Sequence, residues 1–86
     1  MKQPKLKPTY QIHLLEGGQL TPNRTFAARA TAETWAKRNA KGSTVYYLQH
    51  YPPSMGELDC WYTFTTVNGR AFPTLIGHAP PFPIKQ

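Results

Sequence analysis

The segment at residues 25–42 limits the possible folds most, because it is the one stretch with a convincing pattern for an amphipathic helix. With about 100° between successive residues, small and aromatic side chains share one side of this helix, namely Ala32, Trp35, Ala36 and Ala40. Thr31 is a suitable N-cap and Gly42 a suitable residue just beyond the helix. A helix of about ten residues is unstable alone. We therefore expect this one to pack its Ala/Trp side on a sheet.

The remainder of the sequence predicts short strands separated by turns. The predicted strands cover residues 10–15, 26–29, 43–51, 58–67 and 70–76. Gly17-Gly18 and Asn68-Gly69 predict tight turns, since both pairs tolerate positive φ angles. Pro73 has no amide hydrogen to donate, so the last strand belongs at a sheet edge. The order β-β-α-β-β-β predicts an α+β fold, with one short helix packed on an antiparallel sheet of four to five strands.

The length of 86 residues is enough for one small domain. We expect residues 1–8 to form a flexible basic arm, residues 9–76 the domain and residues 77–86 a Pro-rich extended tail. No apolar run approaches the ~18 residues of a membrane-spanning helix, and the Lys-rich start is not followed by the apolar stretch of a signal peptide. Cys60 is the single cysteine, so no internal disulfide can form. Small secreted proteins are usually rich in disulfides, and we therefore expect a cytoplasmic protein.

Little in the sequence is typical of an active site. Glu57 and Asp59 lie two apart and could hold a cation, although solvated residues at a sheet edge are the simpler interpretation. Cys60 could pair with a histidine, but it falls on the same strand face as Leu58, Tyr62 and Phe64, which indicates a core position. The three histidines lack the paired spacing of zinc ligands. We therefore expect no enzyme, no metal and no cofactor.

The charge balance is strongly basic, with ten Lys and Arg against four Asp and Glu, a net charge of +6 and a pI near 9.8. Such a charge favours an anionic partner, whether a nucleic-acid backbone, an acidic protein surface or an anionic membrane. The alternative is that these cations only keep the protein soluble. The candidate contact residues are Arg24, Arg29, Lys37, Arg38 and Lys41, followed by Tyr46 and Arg70. Contacts to phosphates would make affinity fall as salt rises.

Three sequence features occur in the order found in one group of small phage proteins. They are the helix segment at residues 26–40, Gly42-Ser-Thr-Val45 and the hairpin around Val67-Asn68-Gly69. Over about residues 10–76 the chain resembles anti-CRISPR proteins that act on type I, Cascade-like surveillance complexes. The resemblance implies a non-catalytic inhibitor that docks on the backbone subunits of the host ribonucleoprotein and blocks target DNA binding. It also implies action in the host bacterial cytoplasm, without a membrane or a small-molecule substrate.

Two other functions remain open at this point. A free-standing nucleic-acid-binding protein would use the same cations, and Tyr-rich strands can stack single-stranded bases when one sheet face is exposed. An interaction module of the cell envelope is a third possibility. The basic charge argues against a DNA mimic, because a mimic of DNA would be acidic.

Overall fold

The computed structural model describes residues 7–39, 44–67 and 70–86, without the side chains of residues 65–67, 70 and 71. Its elements are β1 (Thr9–Glu16), β2 (Gln19–Phe26), α1 (Arg29–Asn39), β3 (Val45–His50), a 3-10 turn (Pro53–Met55), β4 (Cys60–Val67) and β5 (Arg70–Gly77). The predictions for Ala40, Lys41, Gly42 and the Asn68-Gly69 turn fall outside the described residues.

The five strands form one sheet in the order β2-β1-β3-β4-β5, and every neighbouring pair is antiparallel. Since β2 and β3 both run against β1, they run parallel to each other, and α1 connects them across β1. The predicted α+β fold, with a single helix on an antiparallel sheet, is confirmed. Among the described residues no helix is long and apolar enough to cross a membrane.

The first hairpin turns at Gly17 and Gly18, whose φ angles are 58° and 77°. A two-residue loop with positive φ at both positions matches the right-handed twist of the strands that it joins. The predicted turn is therefore present.

Strand β2 is longer than the sequence predicts. The prediction of a strand at residues 26–29 is wrong, because β2 begins at Gln19, continues through Pro22 and ends at Phe26, and α1 begins at Arg29. Pro22 lies opposite His13, and the register shifts next to this pair, between Gln11 and His13. A proline is tolerated there because β2 is the outermost strand of the sheet, so no further strand pairs with it on its outer side at Pro22.

Helix α1 begins at Arg29, so the prediction of Thr31 as the N-cap is wrong. The amide of Ala32 donates to the carbonyl of Ala28 at 3.2 Å, and Thr31 lies inside the first turn. The sequence before Thr31 contains alanines and an arginine, which are strong helix formers. The helix therefore extends back almost to the end of β2.

The main core lies between α1 and the sheet. It consists of buried Ile12, Ala32, Ala36, Val45 and Tyr47, with half-buried aromatic residues around them. As predicted, the Ala/Trp side of α1 faces this core. Trp35 is half-buried, with its ring 6.2 Å from that of Phe26.

The C-terminal segment crosses the other face of the sheet. After β5 it runs from one sheet edge to the other, where the amide of Leu20 donates to the carbonyl of Pro83 and the amide of Lys85 donates to the carbonyl of Leu20, both at 2.8 Å. On the way, Phe82 packs edge-on against Tyr46 with 5.9 Å between ring centroids. This C-terminal segment therefore packs against the sheet.

Candidate binding surface

The outward side of α1 carries two exposed cations, Lys37 and Arg38, in its last turn. Ala32 and Ala36 face the core from the opposite side of the helix. Within the described part of the chain, no carboxylate oxygen lies within 4.0 Å of either cation. A cation near a helix C-terminus stabilises the helix by about 0.3–1 kcal/mol. The fold thus gives these charges a small role and leaves both available to a partner.

Arg29 and Arg24 lie away from this pair. Arg29 is the first residue of α1, and its Nε lies 3.7 Å from Oε1 of Glu33, one turn later. An exposed ion pair of this kind contributes at most about 1 kcal/mol, so Arg29 can exchange Glu33 for another anion at little cost. Arg24 is exposed on the edge strand β2. The two arginines are therefore separate from the Lys37–Arg38 pair, with Arg29 at the N-terminal end of α1 and Arg24 on β2.

The structure does not bring all the predicted contact residues together. Tyr46 belongs to β3 and points away from α1, because its neighbour Tyr47 points into the core and strand residues alternate between faces. It lies under the tail against Phe82. Arg70 begins β5, but its side chain is not described, and Lys41 lies outside the described residues.

A second cluster, which the sequence analysis missed, surrounds Asp59. One carboxylate oxygen of Asp59 lies 2.8 Å from Nδ1 of His50, and the other accepts the amide hydrogen of Tyr51 at 3.1 Å. Desolvation acts to raise the pKa of Asp59, but the bonds from His50 and Tyr51 outweigh it, and the net pKa is lowered. The cluster therefore holds Asp59 in its charged form and joins the ends of β3 and β4.

Cys60 and His78 lie close together without forming a nucleophile–base pair. The sulfur of Cys60 is 3.8 Å from Nδ1 of His78, and the same nitrogen lies 2.9 Å from the main-chain oxygen of Asp59. A carbonyl oxygen only accepts hydrogen bonds, so Nδ1 carries the proton and cannot take one from the thiol. The prediction that Leu58 shares a core face with Cys60 is wrong, because Leu58 is 66 % exposed.

The described residues contain no cavity and no group of three or more side chains placed to hold a metal ion. The chain matches no protein-family model, and it has no significant similarity to any curated protein or solved structure. The function has to be inferred from the surfaces themselves, and the cations of α1 form the most distinct of these.

Proposed function

We propose that this chain is a non-catalytic inhibitory binding protein that docks on a type I CRISPR surveillance complex and blocks target DNA binding. The observation that carries the proposal is the pair of exposed cations, Lys37 and Arg38, with no carboxylate near them in the described residues. The core on the other side of α1 uses only small and aromatic residues, so the fold is complete without these charges. The choice of this particular complex comes from the family resemblance of residues 10–76.

The mechanism is electrostatic and steric. The backbone subunits of such a complex hold guide RNA and receive target DNA, so the phosphates of these nucleic acids lie along the DNA path. A protein with a net charge of +6 is attracted to that path. Once docked, a folded domain with principal extents of 47 × 29 × 20 Å occupies space that the target duplex needs. No bond is made or broken.

The direct test is inhibition of target binding in a purified system. A guide-loaded type I surveillance complex is incubated with the protein, and binding of a fluorescent target duplex is followed by anisotropy. The proposal predicts that the duplex is excluded at stoichiometric amounts of protein. It is overturned if the duplex binds equally well with and without the protein in complexes from several type I subtypes.

A matched pair of variants shows whether the helix carries the effect. Lys37→Glu with Arg38→Glu reverses the two helix charges, and the control Lys7→Glu with Lys85→Glu reverses two exposed cations outside α1. Both pairs change the net charge equally. We expect the helix variant to lose inhibition by more than tenfold and the control to stay within about threefold. Equal losses would show that only the net charge matters.

A free-standing nucleic-acid-binding protein is the second candidate, because exposed cations also occur on the strands, at Arg24 and at Lys7 just before β1. This function predicts binding to random DNA or RNA without any protein partner. The logarithm of the association constant should then fall with the logarithm of the salt concentration by about 0.7–0.9 per phosphate contact. If the protein fails to bind random DNA but inhibits the complex, the second candidate is excluded and the first proposal stands.

A further inference from the structure

The sheet face opposite α1, which we call the tail face, has a small core of its own. Its buried residues are Leu20, Trp61 and His13, which are 0 %, 2 % and 2 % exposed. The register places His13 opposite Tyr46 on this face, and its ring meets that of Trp61 edge-on with 4.8 Å between centroids. A titratable side chain therefore lies inside a layer that is otherwise apolar and aromatic.

Within the described part of the chain, this core is covered by residues 78–86, which we call the tail. The ring of Phe82 packs on Tyr46 of β3, and the amide of Leu20 at the outer edge of β2 donates to the carbonyl of Pro83. Since β1 lies between β3 and β2, the tail crosses β1 between these two contacts. The tail therefore passes over the strand that carries His13.

The tail is thin and is attached at a few points. Pro80 and Pro83 are exposed, so solvent lies on its outer side. Its main hydrogen bonds to the sheet are the two main-chain bonds at Leu20, both 2.8 Å long, and one from Nδ1 of His78 to the carbonyl of Asp59, at 2.9 Å. The strands beneath it are joined by longer ladders. A segment with few contacts opens at a lower free energy than the sheet that it covers, so the tail can detach while the sheet stays folded.

The neutral form of His13 fits this core better than the protonated form. Nδ1 lies 3.2 Å from the main-chain oxygen of Gln11, which can only accept, so Nδ1 carries the proton of the neutral ring. Protonation adds a second N–H at Nε2, and no described residue places an acceptor within hydrogen-bond distance of that atom. A buried charge without a partner is costly. The closed structure therefore resists protonation, and burial lowers the pKa of His13.

The elements around His13 offer no counter-charge to it. On β2 the flanking positions of the tail face are Leu20 and Pro22, and no carboxylate oxygen of the described residues lies within 4.0 Å of the imidazole. The titratable groups of this face are Tyr46 and His50 on β3, Asp59 just before β4, and His78 and Lys85 on the tail. Asp59 is the acid among them, and its two oxygens already bind His50 and a main-chain amide. An imidazolium at His13 therefore has no described carboxylate to pair with.

We propose that the tail is a pH-sensitive strap, which leaves the tail face when His13 is protonated while the five-stranded sheet stays folded. In the open form His13 is hydrated, so its pKa returns to the ordinary value of about 6.5, above its pKa in the closed form. Acid therefore favours the open form. The ratio of open to closed molecules rises by up to about tenfold from pH 7.5 to 5.5, and by up to about thirtyfold from pH 7.5 to 5.0. Release uncovers Leu20, Trp61 and His13 together.

The test is amide hydrogen exchange, followed by NMR between about pH 7.5 and 5.0 and corrected for the intrinsic pH dependence of exchange. The amides of Leu20 and Lys85 report on the tail, because each is bonded across the tail contact, and the amides that pair β1 with β3 report on the sheet. We expect the tail amides to open at least about tenfold more often than the sheet amides at every pH. Opening at Leu20 should also increase by about tenfold or more from pH 7.5 to 5.0. His13→Gln should remove this pH dependence, whereas the matched control His50→Gln, at an exposed position of the same face, should keep it.

Linkage provides a second measurement should His13→Gln fail to fold. If protonation of His13 releases the tail, then release of the tail makes His13 easier to protonate by the same factor. Phe82→Ala removes the contact with Tyr46 and should therefore raise the pKa of His13 in an NMR titration. The control Lys85→Ala truncates an exposed side chain of the tail and should leave the pKa of His13 unchanged.

Three exchange results would overturn the proposal: tail amides that open no more often than sheet amides, opening that does not change with pH, or a pH dependence that His13→Gln leaves intact. An unchanged pKa of His13 in Phe82→Ala would overturn it as well. No surveillance complex or nucleic acid is present in these experiments, so their outcome is independent of the proposed inhibition.

Discussion

The hydroxyl of Tyr47 lies at the centre of the core without a hydrogen-bond partner among the described residues. The side chain is 0 % exposed, and its ring contacts Tyr10, Tyr62 and Phe64. Burial raises the pKa of Tyr47 far above its ordinary value. Tyr47→Phe removes this hydroxyl and keeps every ring contact, so it isolates the free energy of one unpaired polar group.

A buried polar group without a partner costs about 1–3 kcal/mol, whereas replacement by an apolar group of the same shape is neutral or stabilising. We therefore expect Tyr47→Phe to raise the free energy of unfolding by about 1 kcal/mol. In a domain of this size that corresponds to an increase in Tm of about 4–8 °C. The assay is urea denaturation at pH 7, followed by tryptophan fluorescence, together with thermal melting.

The pH dependence provides a second readout. Because the pKa of Tyr47 is higher in the folded than in the unfolded state, its contribution to stability is complete below about pH 10 and is lost above it. Stability of Tyr47→Phe should therefore fall less steeply between pH 10 and 11 than that of wild type. Tyr62 also has a raised pKa, mainly through burial, so part of the alkaline loss remains.

The control is Tyr10→Phe. The hydroxyl of Tyr10 accepts a hydrogen bond from Nε2 of Gln49 at 3.4 Å, and its side chain is half-buried. Loss of this long bond should cost between 0 and about 1 kcal/mol. If Tyr47→Phe is instead less stable than wild type by more than about 0.5 kcal/mol, the hydroxyl has a partner and the account of the core is wrong.

Two further predictions concern the face under the tail. Phe82→Ala should release the tail from Tyr46 and lower the free energy of unfolding by about 1–3 kcal/mol, because an aromatic contact is lost. It should also shift the fluorescence of buried Trp61 to the red. The control Lys85→Ala should change neither the stability nor the fluorescence. His13 is 2 % exposed, and burial lowers its pKa. Below about pH 6.5 His13 therefore binds a proton more readily in the unfolded chain than in the folded chain. As the pH decreases, the free energy of unfolding falls by at most about 1.4 kcal/mol per pH unit. Urea titrations between pH 7.5 and 5.5 should show a smaller fall for His13→Gln, and an unchanged fall would contradict this role.

Local features of the fold were predictable from the sequence. The buried positions Ala32 and Ala36 follow from helical periodicity, and the turn at Gly17-Gly18 follows from the backbone freedom of glycine. The start of α1 was less predictable, because Thr31 is a good cap but the residues before it also favour a helix. Here the intrinsic helix propensity of the alanines outweighed a single capping side chain.

Features that depend on distant parts of the chain were not predictable. Pro22 resembles a turn residue locally, and only the position of β2 at the sheet edge allows a strand there. The pairing of His50 with Asp59 depends on the register in which Gln49 lies opposite Cys60. Tyr46 was a candidate contact residue, but its position under the tail depends on which face residues 78–86 cross.

The exposure of Lys37 and Arg38 could be predicted, since both lie opposite the alanines on the helical wheel. The uneven cover of the sheet by α1 could not be predicted, because it requires knowing that β4 and β5 lie on the side of β3 away from β1 and β2, the strands that α1 mainly contacts.

The proposed docking through the cations of α1 is tested most directly by the salt dependence of binding to a guide-loaded type I surveillance complex. The dissociation constant is measured by biolayer interferometry between 50 and 300 mM KCl for wild type, for Lys37→Glu with Arg38→Glu, and for the Lys7→Glu, Lys85→Glu control. We expect a steep salt dependence for wild type and the control. The helix variant should bind at least tenfold more weakly, with a slope smaller by about 1.4–1.8 if each lost cation met one phosphate. Equal slopes in all three proteins would contradict it.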